Sequence, residues 1–212
     1  MYYARAVGRV DRYVLALVLV RGLLGPTPDA RADRPDDLVD VAPAIPDAVM
    51  DLRYATANNI TGEVLYPAAV CKLRRAVVER LATAAALLKA RHRRLLVWDC
   101  YRPLAIQQVL WDRVHDTRYV ANPKTGSRHN RGAAIDLALV DEDGKPVTLP
   151  TEFDDFTAAA HRKRALKGAT GAEARTLAAA MAKAGFTGLA TEWWHFDAPG
   201  GAHYALADEP LQ

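Results

Sequence analysis

Two short segments hold the residues best suited to chemistry: S-R-H-N-R-G-A-A-I-D, Ser127 to Asp136, and E-W-W-H, Glu192 to His195. Between them they supply two histidines, an aspartate and a glutamate. That set matches a catalytic zinc site, in which three protein ligands leave one position for water and a further carboxylate takes the water's proton. A structural zinc site closes its fourth position with a cysteine or another histidine, and neither segment offers one. The chemistry implied is hydrolysis.

The elements around these residues must bring them together. Ala134 to Leu139 alternates as a strand, with Ile135, Leu137 and Leu139 on one face and Asp136 and Ala138 on the polar other. His129 precedes that strand across Gly132, which can bend the chain back so that a loop histidine and a strand aspartate meet one ion. His195 arrives from a distant element. Glu192 to Phe196 has the composition of a strand, yet residues three apart on a regular strand face opposite ways. A bulge or a strand end is therefore expected between Glu192 and His195.

Apolar spacing predicts helices over Cys71 to Ala90 and Leu104 to His115. A third, Ala172 to Ala184, is opened by Thr170 with Glu173 three residues on and closed by Gly185. Leu95 to Trp98 reads as a short buried strand, and Asp143-Gly144 as a turn into a hairpin partner, Pro146 to Leu149. Helices and strands mix without regular β-α-β alternation. The fold class expected is α+β, a single domain with a mainly antiparallel central sheet flanked by helices.

A chain of 212 residues, half of them hydrophobic and a quarter charged, suits one well-buried soluble domain. A net charge of +3 is too small to imply a nucleic-acid partner. The basic runs Arg91 to Arg94 and His161 to Arg164 lack interleaved aromatics and read as solvated faces. At the N-terminus, Arg5, Arg9 and Arg12 precede an apolar run from Tyr13 to Val20, followed by Ala30-Arg31-Ala32. That order describes a signal peptide over residues 1–32, although Arg21 opposes insertion. The run is too short to span a bilayer, so no stable membrane insertion is expected. Export to a periplasmic or extracellular location is favoured, with the cytoplasm as the alternative. A proline-dense linker, 33–46, would then lead into a catalytic domain, 47–212.

Taken together, the motifs resemble those of the D-alanyl-D-alanine dipeptidases, within the zinc D,D-peptidases. Four segments carry the resemblance: Asp51 to Gly62 (D-L-R-Y-A-T-A-N-N-I-T-G), Trp98 to Pro103 (W-D-C-Y-R-P), Ser127 to Asp136, and Glu192 to Phe196. A weaker fifth is F-D-D-F, Phe153 to Phe156. The resemblance implies one zinc ion held by His129, Asp136 and His195, with Glu192 as general base and Arg102 stabilising the oxyanion. It implies that Asp154 binds the ammonium of a small-molecule substrate, D-Ala-D-Ala, with its immediate neighbour Asp155 as the competing assignment, and that Tyr54 and Ser127 line the substrate site. Trp193 and Trp194 are either walls of a small pocket or neighbouring core. Leu149-Pro150 stands where some relatives have M-G. The alternatives are a D,D-carboxypeptidase or endopeptidase acting on peptidoglycan stems, and a zinc-bearing binding module without catalysis. Glu192 separates enzyme from module, since a non-catalytic zinc domain needs no base there. Oligomeric state is not fixed by these residues. Cys71 and Cys100 are the only cysteines, and in an exported protein they are expected to form a disulfide.

Overall fold

Hydrophobic burial is organised around a five-stranded sheet in the computed structural model, which describes Met1, Tyr2 and residues 34–212. The leader pattern lies outside the described residues. The chain divides into units 1–32 and 33–212, and the described helices and strands all belong to the second. In chain order it carries β1 (Leu38–Asp40), β2 (Val49–Met50), β3 (Lys72–Arg74), α1 (Arg75–Lys89), β4 (Arg94–Asp99) and α2 (Leu104–Val114). These are followed by β5 (Ala134–Val140), α3 (Arg162–Ala165), α4 (Ala172–Lys183), β6 (Thr187–Gly188) and β7 (His195–Asp197).

The main sheet runs β2-β4-β5-β7-β6. The β4–β5, β5–β7 and β6–β7 pairs are antiparallel and β2–β4 is parallel, so the sheet is mixed. Helices α1 and α4 pack on each other and against β4 and β5. Their inward residues, Val77, Leu81, Ala84 and Leu88 from α1 and Leu177, Ala180 and Met181 from α4, follow helical spacing and are buried. Among the described residues, no helix is long and apolar enough to cross a membrane.

The structure corrects several expectations. The stretch read as a linker belongs to the fold: β1 pairs antiparallel with β3, and Val41 and Ile45 enter the core. Its prolines punctuate turns between anchored apolar residues, where a linker would have none to bury. The first helix begins at Arg75, because Lys72–Arg74 is taken up by β3. Pro146 makes only an isolated bridge to Val140, so no full hairpin partner forms. Gly171, not Thr170, precedes α4, and Glu173 pairs with Arg93 in place of a capping box. That pairing also takes Arg93 out of the solvated face expected for its basic run.

Cys71 and Cys100 are joined by a disulfide, which ties the start of β3 to the residue after β4 across 29 positions. Closing a loop of that length restricts the unfolded chain and is worth about 3–4 kcal/mol. A Cys71→Ser/Cys100→Ser variant is expected to unfold at lower urea concentration, with that loss of free energy. An unchanged midpoint would show that the bond contributes no stability.

Candidate active site

A bulge in β4 sets the first part of the site. Val97 pairs with Leu137, but the next partners are Asp99 and Asp136, leaving Trp98 as the extra residue. The additional residue reverses the alternation locally, so Asp99 comes level with Asp136. On the other side of β5, Asp136 pairs directly with His195 of β7. Register across three strands thus aligns Asp99, Asp136 and His195 in one row. All seven residues of β5 are buried, so the face expected to be polar is not open to bulk water. Asp136 instead lies at the wall of a cavity of about 400 Å³ that Trp194 also lines.

His129 comes from a short 3-10 turn, His129–Arg131, immediately before β5. The Ser127 hydroxyl accepts the His129 amide N–H at 2.9 Å, and Asn130 Oδ1 accepts that of Ser127 at 2.7 Å. Gly132 then reverses the chain at φ +64°, with Leu38 and the Arg74 backbone packed where a Cβ would stand. The bend expected at this glycine is present, for both conformational and steric reasons.

The outer hydrogen bonds of the two histidines orient their rings. His129 Nδ1 lies 2.6 Å from the Cys100 carbonyl, which can only accept, so Nδ1 carries the proton and Nε2 a lone pair. His195 Nε2 lies 3.0 Å from the Asp197 carboxylate, which turns Nδ1 inward to hold either a proton or a metal ion. The two inward nitrogens are 3.1 Å apart, and Asp136 Oδ1 is 3.1 Å from His195 Nδ1. Such an arrangement needs positive charge between the inward groups, from a proton or from a metal ion. One ligand atom each from His129, Asp136 and His195 lie within 4.8 Å of one another, and among the described residues the buried Asp136 Oδ1 has no hydrogen-bond partner. The donor set and its outer hydrogen bonds suit a metal ion. Cys100, engaged in the disulfide, contributes only its carbonyl.

Glu192 and Trp193-Trp194 precede β7, which starts at His195, so the expected strand end relieves the geometric conflict. Glu192 Oε2 lies 3.8 Å from His195 Nδ1, and the buried Oε1 has no hydrogen-bond partner among the described residues. Burial, aided by nearby Asp136 and Asp154, pushes its carboxyl up to about 8 against the pull of His195. Burial works against a charged His195, but Asp136 and Asp197 raise it to about 10. Burial likewise works against Asp136, yet the two histidines hold it well below the usual carboxylate range. Trp194 is both wall and core, whereas Trp193 is core, its indole N–H donating to Thr151 Oγ1 at 2.9 Å.

Arg102 follows β4 and is almost fully buried at the cavity. Its Nε and Nη2 donate to Asp99 Oδ2 at 3.0 and 2.6 Å, and Nη1 to Gln107 Oε1 at 2.9 Å. Tyr66 donates to the other Asp99 oxygen at 2.6 Å. The guanidinium is held 5.0 Å from the Tyr54 ring centre, so its position is fixed before any ligand enters.

Of the adjacent aspartates, Asp154 faces the cavity. Its carboxylate accepts from Tyr54 Oη at 3.2–3.3 Å and from the Ile60 amide at 3.3 Å. Asp155 instead accepts the Thr157 amide within its own loop. Asp154 adopts φ +58°, a left-handed conformation unusual for a non-glycine residue. Burial pushes its carboxyl up to about 7 despite Arg102 nearby. Tyr54 and Ser127 line the same cavity, so the residues singled out for metal, chemistry and substrate all converge there.

Residues 34–210 match the family model described as D-ala-D-ala dipeptidase. The chain belongs to that family. It is therefore a metallopeptidase, and its motifs and site geometry agree with that class. It is 37% identical over 171 residues to the D-alanyl-D-alanine dipeptidase of Escherichia coli, covering 80% of this chain and 89% of that protein. The D-alanyl-D-alanine dipeptidase of Streptomyces coelicolor is 31% identical over 189 residues, covering 76% and 86% of the two chains.

Some residues of the site were not singled out in sequence. Asp197 is two positions after His195, the spacing that puts two strand residues on one face, and could have been found on that ground. Asp99 lies inside W-D-C-Y-R-P. The Cys100 carbonyl has no residue type to signal it. Arg162, in a run read as a solvated face, is half-buried beneath the Glu192–His195 turn.

Proposed function

We propose that this protein hydrolyses the free dipeptide D-Ala-D-Ala to two D-alanines, using one zinc ion held by His129, Asp136 and His195. Two imidazole nitrogens and a carboxylate, with no fourth protein ligand in the group, suit catalytic zinc. When bound, the ion supplies a Lewis acid that acidifies water and polarises a carbonyl. Glu192, whose raised carboxyl would be drawn back down by the charge of a bound ion, accepts the proton of the attacking water and returns it to the leaving amine. Arg102, locked by Asp99 and Gln107, meets the developing oxyanion with a permanent positive charge. Asp154 and Tyr54 receive the substrate ammonium, and Ser127 lines the site while capping the turn that carries His129.

The observation that carries the reading is Glu192 Oε1, buried beside the proposed ligand set and without a hydrogen-bond partner among the described residues. A binding module has no use for such a group. Asp154 favours a free-amine substrate over a peptidoglycan stem, where the corresponding nitrogen is acylated. Release of D-alanine from D-Ala-D-Ala, abolished by a chelator and restored by zinc, tests the proposal. No release with zinc present would overturn it. The disulfide and the basic–apolar–small-residue order at the N-terminus support export, which fractionation of expressing cells would check.

Asp154 also sets a pH dependence. A carboxyl with a pKa of about 7 is neutral below that value and cannot pair with an ammonium. Affinity for D-Ala-D-Ala should therefore rise with pH, up to about tenfold per unit below 7, and level off until the substrate amine deprotonates near 8. Calorimetric titration of the Glu192→Gln variant, which binds without turnover, isolates this effect. Affinity that does not change between pH 5 and 7 would contradict it.

A further inference from the structure

The segment from Leu189 to Phe196 curls so that several carbonyls converge on one point, and the guanidinium of Arg162 occupies that point. Its Nη2 lies 2.9 Å from the Trp193 oxygen, 2.9 Å from that of His195 and 3.5 Å from that of Glu192, while Nε donates to Leu189 O at 3.1 Å. The Arg162 amide itself donates to Ala190 O at 3.0 Å, and the guanidinium carbon lies 4.6 Å from the Phe196 ring centre. One side chain thus touches five of the eight residues from Leu189 to Phe196, Glu192 and His195 among them.

Convergent carbonyl dipoles repel one another unless a cation lies between them, and buried carbonyls need donors. Among the described residues no carboxylate pairs with Arg162, and burial alone lowers its pKa, to about 10, which leaves it charged at neutral pH. A planar fork of donors suits several acceptors at once, whereas an ammonium is a single point charge.

We propose that Arg162 is a positioning residue for the reaction: it holds the Glu192–His195 turn so that the base and the metal ligand face the cavity together. This rests on the dipeptidase reading only for its kinetic consequences, since the metal ligand His195 is held in any case. Gly188 on β6 supports the assignment. A Cβ there would collide with the Arg162 guanidinium, so the backbone of β6 is bare where the guanidinium lies against it.

The experiment compares wild type, Arg162→Met, Arg162→Ala, Arg162→Lys, Gly188→Ala and the Arg162→Met/Gly188→Ala double variant. Arg162→Met should lower kcat and cobalt(II) affinity each about 10–100-fold, with KM changed no more than about threefold. Arg162→Lys should recover part of both losses. Gly188→Ala should reproduce them in a protein that retains Arg162, and the double variant should be no worse than Arg162→Met alone, because both changes act through one contact. Guanidinium ion at millimolar concentration should restore kcat to Arg162→Ala but add nothing to wild type. Thermal melts report folding separately, and Gly188→Ala keeps the test open if Arg162→Met does not fold. Wild-type kcat and cobalt affinity in folded Arg162→Met or Gly188→Ala would overturn the proposal, as would lower melting temperatures with both values intact. If wild type fails to cleave D-Ala-D-Ala, the function reading falls and cobalt affinity alone decides the role of Arg162.

Discussion

Replacing Glu192 with alanine is expected to leave metal content at wild-type level while lowering kcat about 10²–10⁴-fold, the range lost with a general base. Replacing His129, Asp136 or His195 with alanine should instead strip the metal and abolish activity with it. The distinction follows from geometry. The ligand atoms of the three latter residues cluster within 4.8 Å, and each histidine is oriented from behind by an acceptor. Glu192 is not in that mutually close set; its Oε2 lies 3.8 Å from His195 Nδ1, and its Oε1 has no hydrogen-bond partner among the described residues. Losing a ligand leaves two inward donors that cannot hold an ion tightly, whereas losing Glu192 removes a proton acceptor from an intact set. Metal analysis of the four purified variants, beside their turnover, decides the matter. Equal metal loss in all four would make Glu192 a ligand and leave the base unassigned.

How much of this site could be read from the chain depends on what kind of information each part needed. Residue type and local spacing singled out the three residues whose side chains the structure brings within 4.8 Å of one another, because histidine and aspartate beside Gly132 mark a turn feeding a strand. The strand end before His195 followed from a steric rule about period-two alternation, without coordinates. What could not be read was long-range register. The bulge at Trp98 brings Asp99 level with Asp136, but nothing in W-D-C-Y-R-P states where β4 meets β5. The linker reading failed for a related reason. Proline density reports local backbone restriction, whereas the burial of Val41 and Ile45 depends on strand β3, far along the chain. Arg162 was missed because a run of basic residues has the same composition whether its members face water or a ring of carbonyls.

Acetyl-D-Ala-D-Ala is expected to be cleaved about 10²–10³-fold less efficiently than the free dipeptide, a loss in kcat/KM equivalent to about 3–4 kcal/mol, the size lost when a buried ion pair cannot form. The penalty comes from the surroundings of Asp154. Its carboxylate accepts bonds from Tyr54 and the Ile60 amide, yet burial still raises it to about 7. Those neutral donors do not compensate its charge, and an incoming ammonium does. An acetylated amine brings no charge and adds bulk against the Tyr54 ring, itself fixed edge-on to Tyr66 and Phe153. Asp154→Ala should accordingly damage cleavage of the free dipeptide far more than any residual cleavage of the acetylated one, bringing the two rates together. Asp155→Ala should have little effect, because that side chain caps its own loop. Comparable rates of wild type on the two substrates would leave the metal chemistry standing but move the substrate assignment to peptidoglycan stems.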